Sequence, residues 1–222
     1  MKKVVAIVQA RTGSSRLPSK VLHDMCGKAI LSHVLERAEE IMSVDQVVLA
    51  CPVKDYPALA HLWPHVYDGD EHDVLGRFLD AADQYEASIV VRITGDCPLL
   101  ATDVADDAVK RFMAVGRGYV PWCQPFVPNA DGFDVEVFGF DTLVEANLAA
   151  GVGQREHVTT VMRGKPCMSV PSWTWPDWRH LKLSVDTVED YFRVKRVMEH
   201  LADKRDFTAK ATVDAWLEAG QP

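Results

Sequence analysis

The sequence predicts an α/β protein with a mostly parallel central sheet. Three observations carry this: a short apolar, β-branched run near the start, a regular succession of strand-like and helix-like segments after it, and chemically active residues clustered where strands end.

Lys3-Val-Val-Ala-Ile-Val-Gln9 is apolar at consecutive positions, as a strand covered on both faces requires. A loop with Gly13 and Pro18 follows. From Ala29 to Met42 the spacing of Ile30, Leu31, Val34, Leu35, Ala38 and Ile41 predicts a helix, with Glu36, Arg37, Glu39 and Glu40 on its polar face. Val47 to Ala50 returns to strand, Asp73 to Tyr85 to helix, and Ile89 to Ile93 to buried strand. A helix over Asp103 to Val115 is expected to be capped by Thr102. Between Gly116 and Ala130, Pro121, Pro125 and Pro128 interrupt Tyr119, Trp122 and Phe126, which predicts an irregular loop or edge excursion. Asp134 to Phe138 alternates polar and apolar, the mark of a strand with one covered face. Asp141–Ala149 and Glu156–Met162 read as helices, Leu181–Val185 as strand, Val188–Leu201 as helix, and Thr212–Ala219 as a short last helix. No repeat, low-complexity stretch or flexible linker divides the chain, so residues 1–222 are expected to form one domain with an excursion at about 116–180.

A hydrophobic content of 48% supports a core of ordinary size. The apolar run after Lys2 and Lys3 is too short for a signal peptide or membrane span, so a cytoplasmic protein is expected, with no membrane partner. Cys26, Cys51, Cys97, Cys123 and Cys167 are scattered without CxxC spacing, which favours reduced thiols over disulfides or a zinc site. The net charge of −8 opposes nucleic-acid binding. Its distribution is uneven: residues 1–28 hold Lys2, Lys3, Arg11, Arg16, Lys20 and Lys28 against Asp24 alone. A cationic loop on an acidic chain suits a small polyanion such as a nucleoside triphosphate.

That loop, Gln9-Ala-Arg-Thr-Gly-Ser-Ser-Arg-Leu-Pro-Ser-Lys20, leaves the carboxyl end of the first strand, where open α/β sheets bind ligands. Gly13 is expected to let the backbone turn its N–H groups toward phosphate oxygens, with Arg11, Arg16 and Lys20 neutralising charge. Neither GxxxxGK[ST] nor GxGxxG occurs. A solvated basic loop is the plain alternative. Asp96, in Arg92-Ile-Thr-Gly-Asp-Cys-Pro-Leu99, and Asp186, in Leu183-Ser-Val-Asp-Thr-Val-Glu-Asp190, each follow a strand. Two carboxylates at one sheet edge, facing a phosphate loop, make a magnesium site, because that ion takes one or two carboxylates and completes its shell with phosphate and water. The alternatives are a helix N-cap for Asp186 and a turn before Pro98 for Asp96.

Taken in order, Val4 to Lys20, Asp73-Val-Leu-Gly-Arg-Phe78, Thr94-Gly-Asp-Cys-Pro-Leu99, Asp131-Gly-Phe-Asp-Val-Glu-Val-Phe138, Arg155-Glu-His-Val158 and Ser184-Val-Asp-Thr187 resemble the GT-A-like cytidylyltransferases that make CMP-activated sugar acids. Within these, the branch described as spore-coat polysaccharide biosynthesis proteins is most similar. The resemblance spans most of the chain. It implies a three-layer α/β/α nucleotide-diphospho-sugar transferase fold that binds CTP through Ala10, Arg11, Gly13, Ser14, Ser15, Arg16, Lys20, Thr94 and Gly95. It also places Asp73 and Arg77 near the base or ribose and Asp96 and Asp186 on Mg2+, and it implies a homodimer. Attack of an acceptor oxygen on the α-phosphorus, with Arg16, Lys20, Asp96 and Asp186 as catalytic groups, would release pyrophosphate.

The middle segments are expected to face the acceptor, a sugar acid or sugar-like molecule, through Asp134, Glu136, Arg155, Glu156 and His157. Glu136 alternatively belongs to a polar strand face, and Arg155, Glu156 and His157 to a charged first helical turn. Pro125-Phe-Val-Pro-Asn-Ala130 carries no basic residue, where similar chains often have an arginine. Trp173, Trp175 and Trp178 are expected to pack or to form a subunit contact, with stacking on a sugar as the alternative. Two other activities share these features: a GT-A glycosyltransferase using a nucleotide sugar, and a nucleotide-binding protein without turnover.

Overall fold

The computed structural model describes residues 2–169, 172–202 and 206–220. In chain order its elements are β1 (Val4–Gln9), the hairpin strands β2 (Asp24–Met25) and β3 (Lys28–Ala29), α1 (Ile30–Glu39), β4 (Gln46–Pro52), the short α2 (Tyr56–Leu59), β5 (Val66–Gly69) and α3 (Val74–Gln84). Then come β6 (Ile89–Thr94), α4 (Thr102–Val115), β7 (Tyr119–Trp122), β8 (Val135–Gly139), α5 (Phe140–Ala149), α6 (Val188–Ala202) and α7 (Ala209–Ala215).

Six strands form one sheet in the order β5-β4-β1-β6-β8-β7. β1 pairs in parallel with β4 and β6, and β4 with β5, while β8 runs antiparallel to both β6 and β7. Alternate residues of β1 enter two different cores. Val4, Ala6 and Val8 pack with α1, α4, α6 and α7, whereas Val5 and Ile7 pack with α3 and α5. The unalternating run is therefore covered on both faces, and the layers are α/β/α. Each valine or isoleucine side chain buried this way contributes roughly 1.5–3 kcal/mol by leaving water. That burial locks the register in which Gln9 lies opposite Thr94 at the carboxyl edge of the sheet.

Several local expectations need correction. α4 begins at Thr102 itself, after Ala101, and has no side-chain cap. The 116–130 stretch contains an edge strand, β7, whose outer side is bridged at Tyr119 by Cys167 and Ser169, and Pro121, two residues on, is tolerated because among the described residues that outer pairing does not extend to it. β8 is buried along its whole length, so its alternation does not mark a solvent face. The segment expected as a Glu156–Met162 helix is a series of turns after the 3-10 turn Val152–Gln154. Its β-branched run Val158-Thr-Thr-Val161 disfavours helix, and Val158, Val161 and Met162 still bury against the α3/α5 face. Leu181–Val185 joins no sheet strand. It is held by Leu183 N to Asp131 O (2.6 Å) and Val185 N to Asp96 O (2.9 Å), which carries Asp186 across the sheet's carboxyl edge to Asp96. The tryptophans pack internally: Trp173 lies 5.5 Å from Trp122, and Trp178 lies 5.9 Å from Phe133.

Candidate active site

Beyond the facing ends of β1 and β6 opens a cleft of about 310 Å3. Ala10, Arg11, Gly13, Ser14, Ser15, Arg16 and Lys20 line it from the first loop, Arg77 from α3, and Thr94, Gly95 and Asp96 from the end of β6. Glu156, His157 and Asp186 close it from later segments. Fourteen of the residues singled out in the sequence thus border one space.

The loop is held by a residue the motif reading missed. Asp55 accepts from Thr12 N (3.0 Å) and Thr12 Oγ1 (2.6 Å), and Ser19 N returns to Thr12 O (3.0 Å). The loop turns at two places, at Gly13, across which Ser14 N bonds Thr12 O (2.9 Å), and at Ser19, at φ 53°; a Cβ at Gly13 would meet nothing nearer than 3.9 Å. The glycine that the cleft requires is Gly95. A Cβ there would stand 3.0 Å from both Ala10 Cβ and Gln9 O, so a side chain would push apart the two strand ends that form the floor. Arg77 is buried, its Nη1 donates to Asp70 O, and its Nε has no partner among the described residues.

Lys20 is the hub. Its Nζ donates to Asp96 Oδ2 (2.7 Å), Asp186 Oδ1 (2.9 Å) and Val185 O (2.8 Å). Burial opposes its charge, yet Asp96 and Asp186 outweigh burial and raise its pKa. Asp186 also receives Lys182 Nζ (2.7 Å) and Arg16 Nη2 (3.0 Å). Burial works against ionisation of Asp186, but Lys182 and Lys20 prevail and bring its pKa to about 2. Asp186 does not cap α6. Thr187 and Asp190 do so reciprocally, Thr187 N to Asp190 Oδ2 (3.1 Å) and Asp190 N to Thr187 Oγ1 (3.2 Å).

No group of three or more His, Cys, Asp or Glu side chains converges as a metal site among the described residues. Asp96 and Asp186 nonetheless fit magnesium: both reach a single cation, the Lys20 ammonium, and two carboxylates are what this ion takes beside phosphate and water.

A second chamber of about 260 Å3 lies against the first and shares Thr94, Asp96 and Asp186 as its wall. Asp134 and Glu136 line it with Cys97, Cys123, Arg92 and Arg163. Glu136, opposite Arg92 in the β6–β8 register, is 2% exposed. It accepts from Arg92, Tyr119, Thr159 Oγ1 (2.8 Å) and Arg163 Nη2 (3.1 Å), so its lone pairs are engaged within the protein. Burial opposes its ionisation, but Arg92 and the other donors hold its pKa below the usual value. Asp134 is the reverse case. Its Oδ1 is buried without a partner among the described residues, and burial, reinforced by Asp131, pushes its pKa up to about 7.

Two of the sequence-derived residues line neither cavity. Asp73 caps α3 through Gly76 N (2.8 Å) and pairs with Arg155 (2.8 Å), whose guanidinium also bonds Asn147 Oδ1 (2.6 Å). Arg155, expected to meet an acceptor, instead ties the turn segment to α3 and α5. Glu156 and His157, also expected at the acceptor, border the first cleft. Lys182, which bridges Asp131 (2.7 Å) and Asp186, was not anticipated; a lone lysine inside the apolar run Leu181 to Val185 was its signal.

A cationic strand-end cleft sharing a carboxylate wall with a second substrate-sized chamber, on this sheet, defines a nucleotidyltransferase. Residues 5–124 match the family model described as cytidylyltransferase, and the chain belongs to that family. Over 208 residues it is 32% identical to the uncharacterized protein MJ1063 of Methanocaldococcus jannaschii, covering 89% of this chain and 84% of that one. It is 26% identical to the spore coat polysaccharide biosynthesis protein SpsF of Bacillus subtilis, over 96% of this chain and 93% of SpsF. The solved structure of a cytidylyltransferase from Leptospira borgpetersenii serovar Hardjo-bovis superposes with a TM-score of 0.89 at 26% identity, over 98% of this chain and 95% of that one. Among the described residues no helix is long and apolar enough to cross a membrane.

Proposed function

We propose that this chain transfers CMP from CTP to a hydroxyl of a sugar acid or sugar-like acceptor and releases pyrophosphate. The observation that carries the reading is the pair of cavities meeting at Asp96 and Asp186, which lets two substrates approach one point from opposite sides. The likeness to SpsF supports a place in the synthesis of a surface-polysaccharide precursor.

In this reading the triphosphate lies along Arg11, Arg16 and Lys20. Arg11 and Arg16 have half or more of their side chains in solvent and, among the described residues, pair with Glu156 (3.8 Å) and Asp186 (3.0 Å) respectively, so both can turn to phosphate oxygens. Lys20 is fixed, with 12% exposure, and its ammonium is positioned to stabilise charge at the cavity boundary. Arg77, with its unpartnered Nε, reaches the cleft from the α3 side and would bind the nucleotide away from the reacting phosphorus. The acceptor occupies the second chamber, whose outer wall of Cys123, Asp131, Asp134 and Arg163 comes from the 116–180 excursion. Bound magnesium would be held by Asp96 and Asp186 and would supply charge neutralisation on the phosphates.

Pyrophosphate release from CTP, UTP, GTP and ATP, with magnesium or with chelator, against sugar acids and neutral sugars tests this. Release from CTP with one acceptor, abolished by chelation, is expected. CTP-dependent thermal stabilisation without release for any acceptor refutes turnover, and equal release from all four nucleotides refutes the cytosine assignment.

A further inference from the structure

CMP transfer requires a proton to leave the acceptor hydroxyl, and the acceptor chamber contains five carboxyl groups, two thiols and two guanidinium groups that border the space where this occurs. All but one are committed. Asp96 is bound to Lys20 (2.7 Å), Asp131 to Lys182 (2.7 Å), and Asp186 to Lys20, Lys182 and Arg16. Glu136 receives Arg92, Arg163, Tyr119 and Thr159 and stays ionised without spare capacity. Burial raises the thiols of Cys97 and Cys123 far above neutrality, so both stay protonated. Arg92 and Arg163 are cations tied to Glu136. Asp134 has no cationic partner among the described residues, and its Oδ1 is buried and unbonded.

We propose that Asp134 is the general base of the transfer. The acceptor hydroxyl oxygen bonds to the α-phosphorus of CTP, and its proton passes to Asp134. The bond from that phosphorus to the bridging oxygen breaks, and pyrophosphate leaves with the electron pair. A base working at neutral pH must hold its proton weakly enough to release it to solvent and strongly enough to take it. Burial and Asp131 place Asp134 in that range, with the Gly132 and Gln124 N–H groups offsetting part of the shift. Asp134 belongs to no regular element, lying one residue before β8. It is pinned by Gly132, at φ 118°, where a Cβ would come within 2.7 Å of Leu183 C.

The assignment rests on the CTP-dependent reading above and is tested by the pH dependence of pyrophosphate release, with whichever acceptor gives turnover. The parent is expected to gain activity as pH rises through about 7, as the Asp134 carboxylate forms. In Asp134→Asn, kcat at alkaline pH should fall by about 10²–10⁴, the limb near neutrality should vanish, and CTP-dependent thermal stabilisation should be unchanged. A parent profile flat between about pH 5 and 8 overturns the proposal whether or not the variant folds. So does Asp134→Asn with the limb retained, because a residue that merely shapes the chamber would lower the rate without moving the profile. If CTP neither stabilises the parent nor releases pyrophosphate, it is the CMP-transfer reading that fails.

Discussion

Replacing Glu136 with Gln separates a structural carboxylate from a substrate-binding one. The Glu136 carboxylate is 2% exposed and accepts four donors, two of them guanidinium groups. Tyr119 and Thr159 can rotate their hydroxyls to meet an amide, but an arginine can only donate. Whichever way the Gln amide is turned, its NH2 faces either Arg92 or Arg163, and one guanidinium loses its bond at this position, Arg92 keeping only Gln9 Oε1 (3.0 Å) among the described residues. Arg92 has 16% of its side chain exposed and cannot reach water freely, whereas Arg163, at 43%, can. Breaking a buried pair costs about 3–5 kcal/mol, and the freedom of Arg163 puts the expectation near the lower end. For a chain of this size that is a fall in Tm of roughly 6–12 °C. Urea unfolding followed by the fluorescence of the six tryptophans measures it. Burial opposes ionisation of Glu136, but its donors depress the folded-state pKa below the ordinary 4.5, so the stabilisation is present above that value and is lost as pH falls through the lower folded pKa. Parent and variant should therefore converge in acid. A loss under about 1 kcal/mol near neutrality, or a gap that persists in acid, would refute the reasoning.

Three further outcomes follow from the geometry. Arg16→Ala should raise the Kd for CTP about ten- to hundredfold by calorimetry, the worth of one charged hydrogen bond; unchanged affinity would remove Arg16 from the triphosphate. Asp96→Asn should cut pyrophosphate release by at least about a hundredfold, with urea stability altered by about 1 kcal/mol because Asn keeps an oxygen for Lys20, whose ammonium also retains Asp186 and Val185 O; an active variant would sink its role. Gly132→Ala should cost at least about 2 kcal/mol, since the new methyl must displace the Leu183 backbone, and parental stability would show that the close approach is not obligatory.

The cleft was legible because it is local. Its loop runs unbroken from Ala10 to Lys20, and Asp96 follows a strand whose burial is plain from composition. Asp186 was legible only as one of two possibilities, and Thr187 and Asp190 decide against the cap by making it themselves. Asp73 and Arg155 were assigned to different substrates, yet they bind each other across a separation of 82 residues that no periodicity reveals. Glu136 shows the same limit. Alternation along a strand says that its side chains point to opposite faces, but not whether Arg92 and Arg163 wait on the polar side.

What the sequence by itself determined is the succession of strands and helices from β1 to α4, the cationic loop and the carboxylate after β6, because these follow from hydrophobic periodicity and from residue chemistry within short windows, whereas the same signals misplaced a helix at Glu156–Met162 and a strand at Leu181–Val185. Tertiary structure alone decided which carboxylates keep a free lone pair. Lys20, Lys182, Arg92 and Arg163 come from four distant segments, and each must be folded into place before its partner's charge is compensated. Asp134 is the carboxyl in the second chamber that none of these cations reaches, among the described residues, and only the folding of Cys123, Asp131 and Arg163 around the same space as Asp96 leaves it so.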